Sequence, residues 1–278
     1  MLAESADRTT QAAWEGHLEL RFEERGGLTG IARRRHRGPL MVQRAFAQDD
    51  GSCHVYVLHP PGGVVGGDRL RVEATLLPGC RALLTTPAAT KAYRSPNRPS
   101  LLTQSFAVGA GALLEWLPQE TIVFDGAWLH SSTSVELAAT AQFAGWEVCC
   151  LGRNDLGFSR GEVEQRLVLT RLGRRLFIER GCFAGGGRVL QAPWGLAGRS
   201  VFGTFVKTGG SAEEVDALRE LLPSTELDWF SVSLLGEVLV CRYLGYRAEA
   251  AKRLFAAAWT RLHLSSGRVA VPPRVWAT

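Results

Sequence analysis

The sequence predicts a mainly β protein of stacked strand pairs, as in a solenoid or layered sandwich, with two α-helices near its C-terminal end. Three observations predict it. From residue 15 to residue 208 apolar and polar residues alternate, or short apolar runs lie between glycines. A pattern of strand, glycine turn, strand and break recurs in 71–87, 104–118, 135–152 and 165–181. Helical spacing of apolar residues is confined to the last quarter of the chain.

The clearest strands are 17–23 ("HLELRFE"), Cys53–Leu58 ("CHVYVL"), 135–139 and 166–170. The repeat is marked by turn glycines Gly79, Gly111, Gly145 and Gly173, at intervals of roughly 30 residues. A strand pair of that length cannot bury its apolar face alone and packs on its neighbours. An antiparallel meander with similar hairpins would use the same turns. Ser211 opens a helix over 211–222 as N-cap, Glu214 completes a capping box, and Pro223 stops it. A second helix runs over about 247–262, with Leu254, Phe255, Ala258 and Leu262 on one face and Gly267 beyond it. We read 1–278 as one domain, β-rich over 15–208 and helix-containing over 209–278.

With 278 residues, 46% of them hydrophobic and 21% charged, the chain can bury a large core. Its formal charge of +5 is spread along the chain, and the densest run, Arg33-Arg34-Arg35-His36-Arg37, reads as strand then turn. That is a weak footprint for nucleic acid, and an acidic protein partner explains it equally well. The N-terminal stretch lacks the pattern of a signal peptide, and no apolar run approaches the ~20 residues of a membrane helix. A cytoplasmic protein without membrane contact is expected. Cys53, Cys80, Cys149, Cys150, Cys182 and Cys241 form no C-x-x-C pair and read as reduced core thiols.

The stretch "HPPGGVVGGDRL" (59–70) concentrates backbone specialists. Pro60 and Pro61 stiffen its entry, and Gly62, Gly63, Gly66 and Gly67 allow a sharp path that fixes His59 and Asp68. No G-K-[ST] ending and no following helix support a phosphate loop. Asp68 is then a metal ligand, a catalytic base, or the acceptor that ties the loop's N–H groups together. Of the histidines only His59 and His130 look placed; His17, His36, His54 and His263 have no acidic or cysteine neighbour at ligand spacing. Glu115, Asp125 and Glu179 sit in apolar β segments, where a carboxylate must be paired or coordinated. Arg180 and its neighbours supply pairing; the functional version is a polar passage suited to a divalent cation. Trp116, Trp128, Trp146, Trp194, Trp229 and Trp276 exceed what such a core needs and offer partner surface, though most belong to the core.

Taken together, 53–70, "TTPAATKAYRS" (85–95), "LEWLPQETIVFDGA" (114–127), "CLGR" (150–153) and "PRVWAT" (273–278) resemble the urease accessory protein UreD, or UreH, family. The resemblance implies a non-enzymatic scaffold for maturation of the urease dinickel site, with a right-handed β-helical stack and two helices. It implies binding to apo-urease and to UreF, which recruits the GTPase UreG, and passage of nickel through an internal polar tunnel. Nickel is bound transiently, no organic cofactor is involved, and a dimer within the accessory complex is allowed. Matched positions are His59 and Asp68 in the loop, Thr90 and Lys91 in "ATKAYRS", Glu115 and Glu179. Asp68, Glu179, Glu115 and His59 become candidates for the metal route, and Thr90, Lys91 and Arg94 for partner or tunnel contacts. Ala45, where the family usually has proline, and 152–163 depart from the pattern, leaving Asp155 and Glu162 in doubt as functional residues. Sparse oxygen ligands favour release, where a Cys/His cluster would trap the ion. The alternative is a β-solenoid carbohydrate-binding protein or hydrolase, with Asp68 paired to Glu179 or Asp125 across a cleft.

Overall fold

A computed structural model describes residues 13–95, 98–152, 157–222 and 224–277. The expected helix stop at Pro223 and the doubtful Asp155 lie outside the described residues. The chain enters with two antiparallel pairs, β1 (Glu15–Arg25) with β2 (Leu28–Arg37), and β3 (Met41–Ala47) with β4 (Cys53–Leu58). From β4 it winds in coils of three strands. The first adds β5 (Gly63–Val64) and β6 (Arg69–Leu76). The second is β7 (Arg81–Thr85), β8 (Thr90–Ala92) and β9 (Ser100–Val108), and the third β10 (Leu113–Trp116), β11 (Thr121–Val123) and β12 (Trp128–Leu137). The last comprises the long, bent β13 (Gln142–Leu151) and β14 (Glu162–Arg171). Equivalent strands pair in parallel: β4, β7, β10 and β13 on one face, β5, β8, β11 and the end of β13 on a second, and β6, β9, β12 and β14 on a third. The parallel ladders make this a β-solenoid and set aside the antiparallel meander.

The winding then ends. β15 (Arg174–Ala184) turns back on β14, a single helical turn α1 (Arg188–Gln191) crosses over, and β16 (Val201–Thr208) pairs antiparallel with β13. α2 (Ala212–Leu221) follows, then β17 (Trp229–Leu235) and β18 (Val238–Gly245), which extend that sheet. α3 (Ala248–Ser265) and a 3₁₀ turn, Arg274–Ala277, close the fold. Three helices are therefore present among the described residues where two were expected, because the four residues of α1 are too few to show a period.

Turns stack as the strands do. Gly79 and Gly111 take left-handed φ of 75° and 67° at successive corners, and Gly173, at 74°, turns the β14–β15 hairpin. The Gly79 N–H donates to Ala110 O at 3.0 Å, and the Gly111 N–H to Thr140 Oγ1 at 2.9 Å. Gly145 was misread as a corner. It lies inside β13, where a Cβ would sit 2.5 Å from the Phe143 ring, and the corner of that coil is Ala139-Thr140.

Alternation along β13 separates two cores. Phe143, Cys149 and Leu151 point between the sheets, while Trp146, Val148 and Cys150 point outward beneath α2 and α3 with Phe205, Phe255 and Trp259. Five cysteines are buried as expected, and burial holds the thiols of Cys53 and Cys150 up at about 11 and about 12. Cys182, on the edge strand β15, is exposed instead, because its side chain takes the outer face. Phe255, Ala258 and Leu262 are buried on α3 as the periodicity requires.

Ser211 caps α2 with the reciprocal Glu214 bonds of a capping box, and buried Val215 and Leu218 fix the helix to the sheet. Ser211→Ala is expected to lower stability by about 1 kcal/mol in urea unfolding. An unchanged midpoint would show that packing alone holds α2.

Candidate functional site: polar cavities between the sheets

Register dictates what lines the interior. Facing inward on the β6–β9–β12–β14 face are the rows Leu70, Leu102, Ser131, Gln165 and Val72, Gln104, Thr133, Leu167, followed by the apolar row Ala74, Phe106, Val135, Leu169. Polar side chains on this face are thus concentrated in two adjacent rows. They border a cavity of about 360 Å³ with Leu40, Val57, Leu70, Val72, Leu102 and Trp116 on its apolar side. Its polar side carries His59, Thr90, Gln104, Gln119, Thr121, Ser131, Glu147 and Gln165. A second cavity of about 150 Å³ is lined by Glu147, Gln165, Arg166, Glu179, Arg180 and Thr204. The two share Glu147 and Gln165 in their walls.

Glu147 lies on the inward face of β13, and its Oε1 accepts from the Thr133 hydroxyl at 2.5 Å. Burial raises its carboxyl pKa to about 7, with the charge of Glu179 adding to the rise and the Thr133 bond opposing it. Glu179 faces it from β15. Its Oε1 lies 3.3 Å from Thr204 Oγ1 and 3.4 Å from Arg242 Nε. Its Oε2 is buried with no hydrogen-bond partner among the described residues. An orphaned buried carboxylate oxygen is rare, and one opening on a cavity is suited to a cation or its water.

The glycine loop builds one end of the first cavity. Gly62 and Gly67 have φ of 73° and 95°. A Cβ on Gly66 would lie 1.8 Å from Ser95 Oγ and 2.4 Å from Arg98 O, so only glycine lets that segment cross the loop. Asp68, 7% exposed, accepts the Trp14 N–H at Oδ1 and the Val65 N–H at Oδ2, both at 2.9 Å. Both oxygens thus tie backbone together, and Asp68 does not line either cavity. Pro60 and His59 do border the first cavity, and burial lowers the His59 pKa against the pull of Asp68. Thr90 borders it too; Lys91 and Arg94 form no ion pair among the described residues, and the Arg94 stem packs over Gly126.

Glu115 sits elsewhere. It is buried on the outer face of β10, where Oε1 accepts from Trp259 Nε1 at 2.6 Å and pairs with His263 Nε2 at 2.8 Å, latching α3 to the solenoid. His263, set aside on local spacing, finds this partner 148 residues away in sequence. Asp125 caps a loop: burial raises its pKa, but bonds from the backbone and side chains of Ser159 and Arg160 outweigh this and hold it at about 2. Arg180 pairs with Glu164 at 2.7 Å, leaving Glu179 to Arg242. His130 Nε2 stands 3.9 Å from both Glu162 and Glu164. With Asp68 and Asp125 each committed to its own loop, a catalytic carboxylate pair across a cleft gains no support. Among the described residues no group of three His, Cys, Asp or Glu is placed to hold a metal ion. Trp116 and Trp146 are core and Trp276 packs on Trp146, whereas Trp194 and Trp229 are exposed. No described helix is long and apolar enough to cross a membrane.

Sequence inspection missed Glu147, although "GWEVCC" shows the same lone carboxylate in an apolar strand that singled out Glu115 and Glu179. A carboxyl whose folded pKa is raised from 4.5 to about 7 favours folding while it is protonated. That contribution is full below pH 4.5 and is lost as pH rises through about 7. Relative to Glu147→Gln, the native chain should therefore lose on the order of 2 kcal/mol between about pH 5 and pH 8, after allowing for cavity water. Parallel pH slopes for the two proteins would refute the buried neutral carboxyl.

Comparison with known proteins gives a consistent picture. Residues 15–277 match the profile of the UreD urease accessory protein family. Urease accessory protein UreD 2 of Brucella anthropi is 44% identical, covering 95% of this chain and 98% of the relative. Urease accessory protein UreD of Azoarcus sp. is also 44% identical, over 96% of this chain and 95% of the relative. That of Pseudomonas putida is 39% identical over the full length of both. With a profile spanning nearly all the described residues and relatives aligned end to end, the chain belongs to the UreD family of urease accessory proteins.

Proposed function

We propose that this protein passes nickel through its interior to apo-urease, receiving the ion from UreF and, through UreF, from the GTPase UreG. The observation that carries the reading is the buried, unpartnered Glu179 Oε2 facing Glu147, which the walls of the two cavities share. Both cavities, at about 360 Å³ and about 150 Å³, have room for a cation with its water. An ion moving between them exchanges water for oxygens of Glu147, Glu179 and Thr204. Two carboxylates with no third His, Cys, Asp or Glu beside them among the described residues bind weakly, which suits transfer better than storage. The protein acts in this reading as a cytoplasmic scaffold without organic cofactor, chemistry of its own, or a nucleic-acid or membrane ligand. His59 and Thr90 serve at the first cavity and Asp68 as the brace of the loop beside it. Lys91 and Arg94 contact partners, and Glu115 secures the helical layer. A dimer within the accessory complex is compatible with this path.

The test is nickel-dependent activation in a mixture of apo-urease, UreF, UreG and GTP. Glu147→Gln with Glu179→Gln should assemble with its partners yet activate about tenfold less or worse. Native activation should rise with pH through about 7, as Glu147 loses its proton and gains affinity for a cation. Full activation by an assembled double variant would place the route elsewhere.

A further inference from the structure

The run Arg33-Arg34-Arg35-His36-Arg37 is untouched by the passage. It lies on β2, the edge of the seven-stranded sheet, and 32–37 are exposed on both faces of the strand. The register breaks a local rule. Arg33 stands directly opposite Arg21 and Arg37 opposite His17, although like charges in facing positions repel. The fold offsets them only in part. Glu73 is already engaged by His17 and Arg71 at 2.5 Å each, Arg37 has only Glu15 at 4.0 Å, Arg35 stands opposite Glu19 without closing an ion pair, and Arg33 has no carboxylate partner among the described residues. The strand is nonetheless held firmly. Arg34 Nη1 donates to Val42 O at 2.8 Å, and a Cβ on Gly38 at the far end would lie 2.1 Å from Glu15 O, so that turn is fixed against β1.

A charged edge normally guards a sheet against stray pairing. Partly offset repulsion along a firmly held edge strand, with no ladder on its outer side, instead supplies both halves of a recognition site: backbone groups for a ladder and cations for alternate side chains. We propose that β2 docks an acidic, extended segment of a partner protein, which adds to the sheet as an outer strand and sets its carboxylates against Arg33, Arg35 and Arg37. The charge pattern selects this partner: a second copy of a chain of net charge +5 is repelled, whereas an acidic strand relieves the repulsion between Arg21 and Arg33. The inference is independent of the nickel route.

The probe is a fluorescein-labelled peptide alternating glutamate with valine, titrated against the full chain by anisotropy. Binding should weaken with salt, fall about tenfold or more in Arg33→Glu with Arg35→Glu, and fall comparably when alternate peptide nitrogens are methylated to block the ladder. The milder pair Arg33→Gln with Arg35→Gln should give an intermediate loss, with circular dichroism confirming an unchanged fold in both. Equal binding of the methylated peptide would overturn strand addition. Equal or tighter binding of a single-stranded DNA of matched charge would show a general polyanion surface in place of a peptide site.

Discussion

Everything in this molecule depends on bringing the chain back, once per coil of about thirty residues, to the same point one strand spacing higher. Parallel ladders demand it, since a strand can add to its predecessor only if the intervening turn and loop close with the correct length. The left-handed glycines at 79 and 111 and the hydroxyl of Thr140 close those corners, and each corner bonds to the next. Once the coils are in register, side chains at equivalent positions form columns through the interior. The chemistry of a column is then set by one residue per coil.

That arrangement explains how polar cavities survive within a β core. An isolated polar side chain between two sheets loses its water and leaves a donor or acceptor unmatched. Stacking places Gln104 beside Thr133 and Ser131 beside Gln165, so each polar group has a polar neighbour and the pair can hold solvent between them. Phe106, Val135 and Leu169 keep the adjoining row dry and rigid. Glu147 and Glu179 are the exception the rows satisfy only in part: burial, with the charge of Glu179 adding to it, drives Glu147 toward neutrality despite its bond from Thr133, and Glu179 keeps an oxygen without a donor among the described residues. Such frustration is tolerated where a structure has use for it.

Much of this was visible in the sequence, and the misses have common causes. The corner glycines, the capping box at Ser211 and the crowded loop at Gly66 are local constraints, and local sequence showed them. Gly145 has the same letter as a corner but makes room for the Phe143 ring inside a strand, a difference that depends on neighbours in space. The Glu115–His263 pair joins a solenoid strand to a helix near the C-terminal end, and no spacing rule reaches across 148 residues. Asp68 was rightly placed in a loop that fixes it, yet three roles stayed open until both of its oxygens could be followed to backbone N–H groups.

The role of each buried glutamate follows from parity. Glu115 on β10 stands opposite Ala144 on β13, and both face the helical layer. Glu147 is three residues farther along β13, an odd step, so it must face the opposite way, into the space between the sheets. Glu179 stands opposite the inward Leu167 on β14 and therefore shares that side. One residue of slippage in β13 would exchange the roles, burying a carboxylate against Phe205 and Phe255 and placing the Trp146 ring in the wall the cavities share. The bulky outer core of Trp146, Phe205, Phe255 and Trp259 accordingly shapes the inner cavities without lining them: by fixing which face of β13 is apolar, it fixes where the carboxylate points.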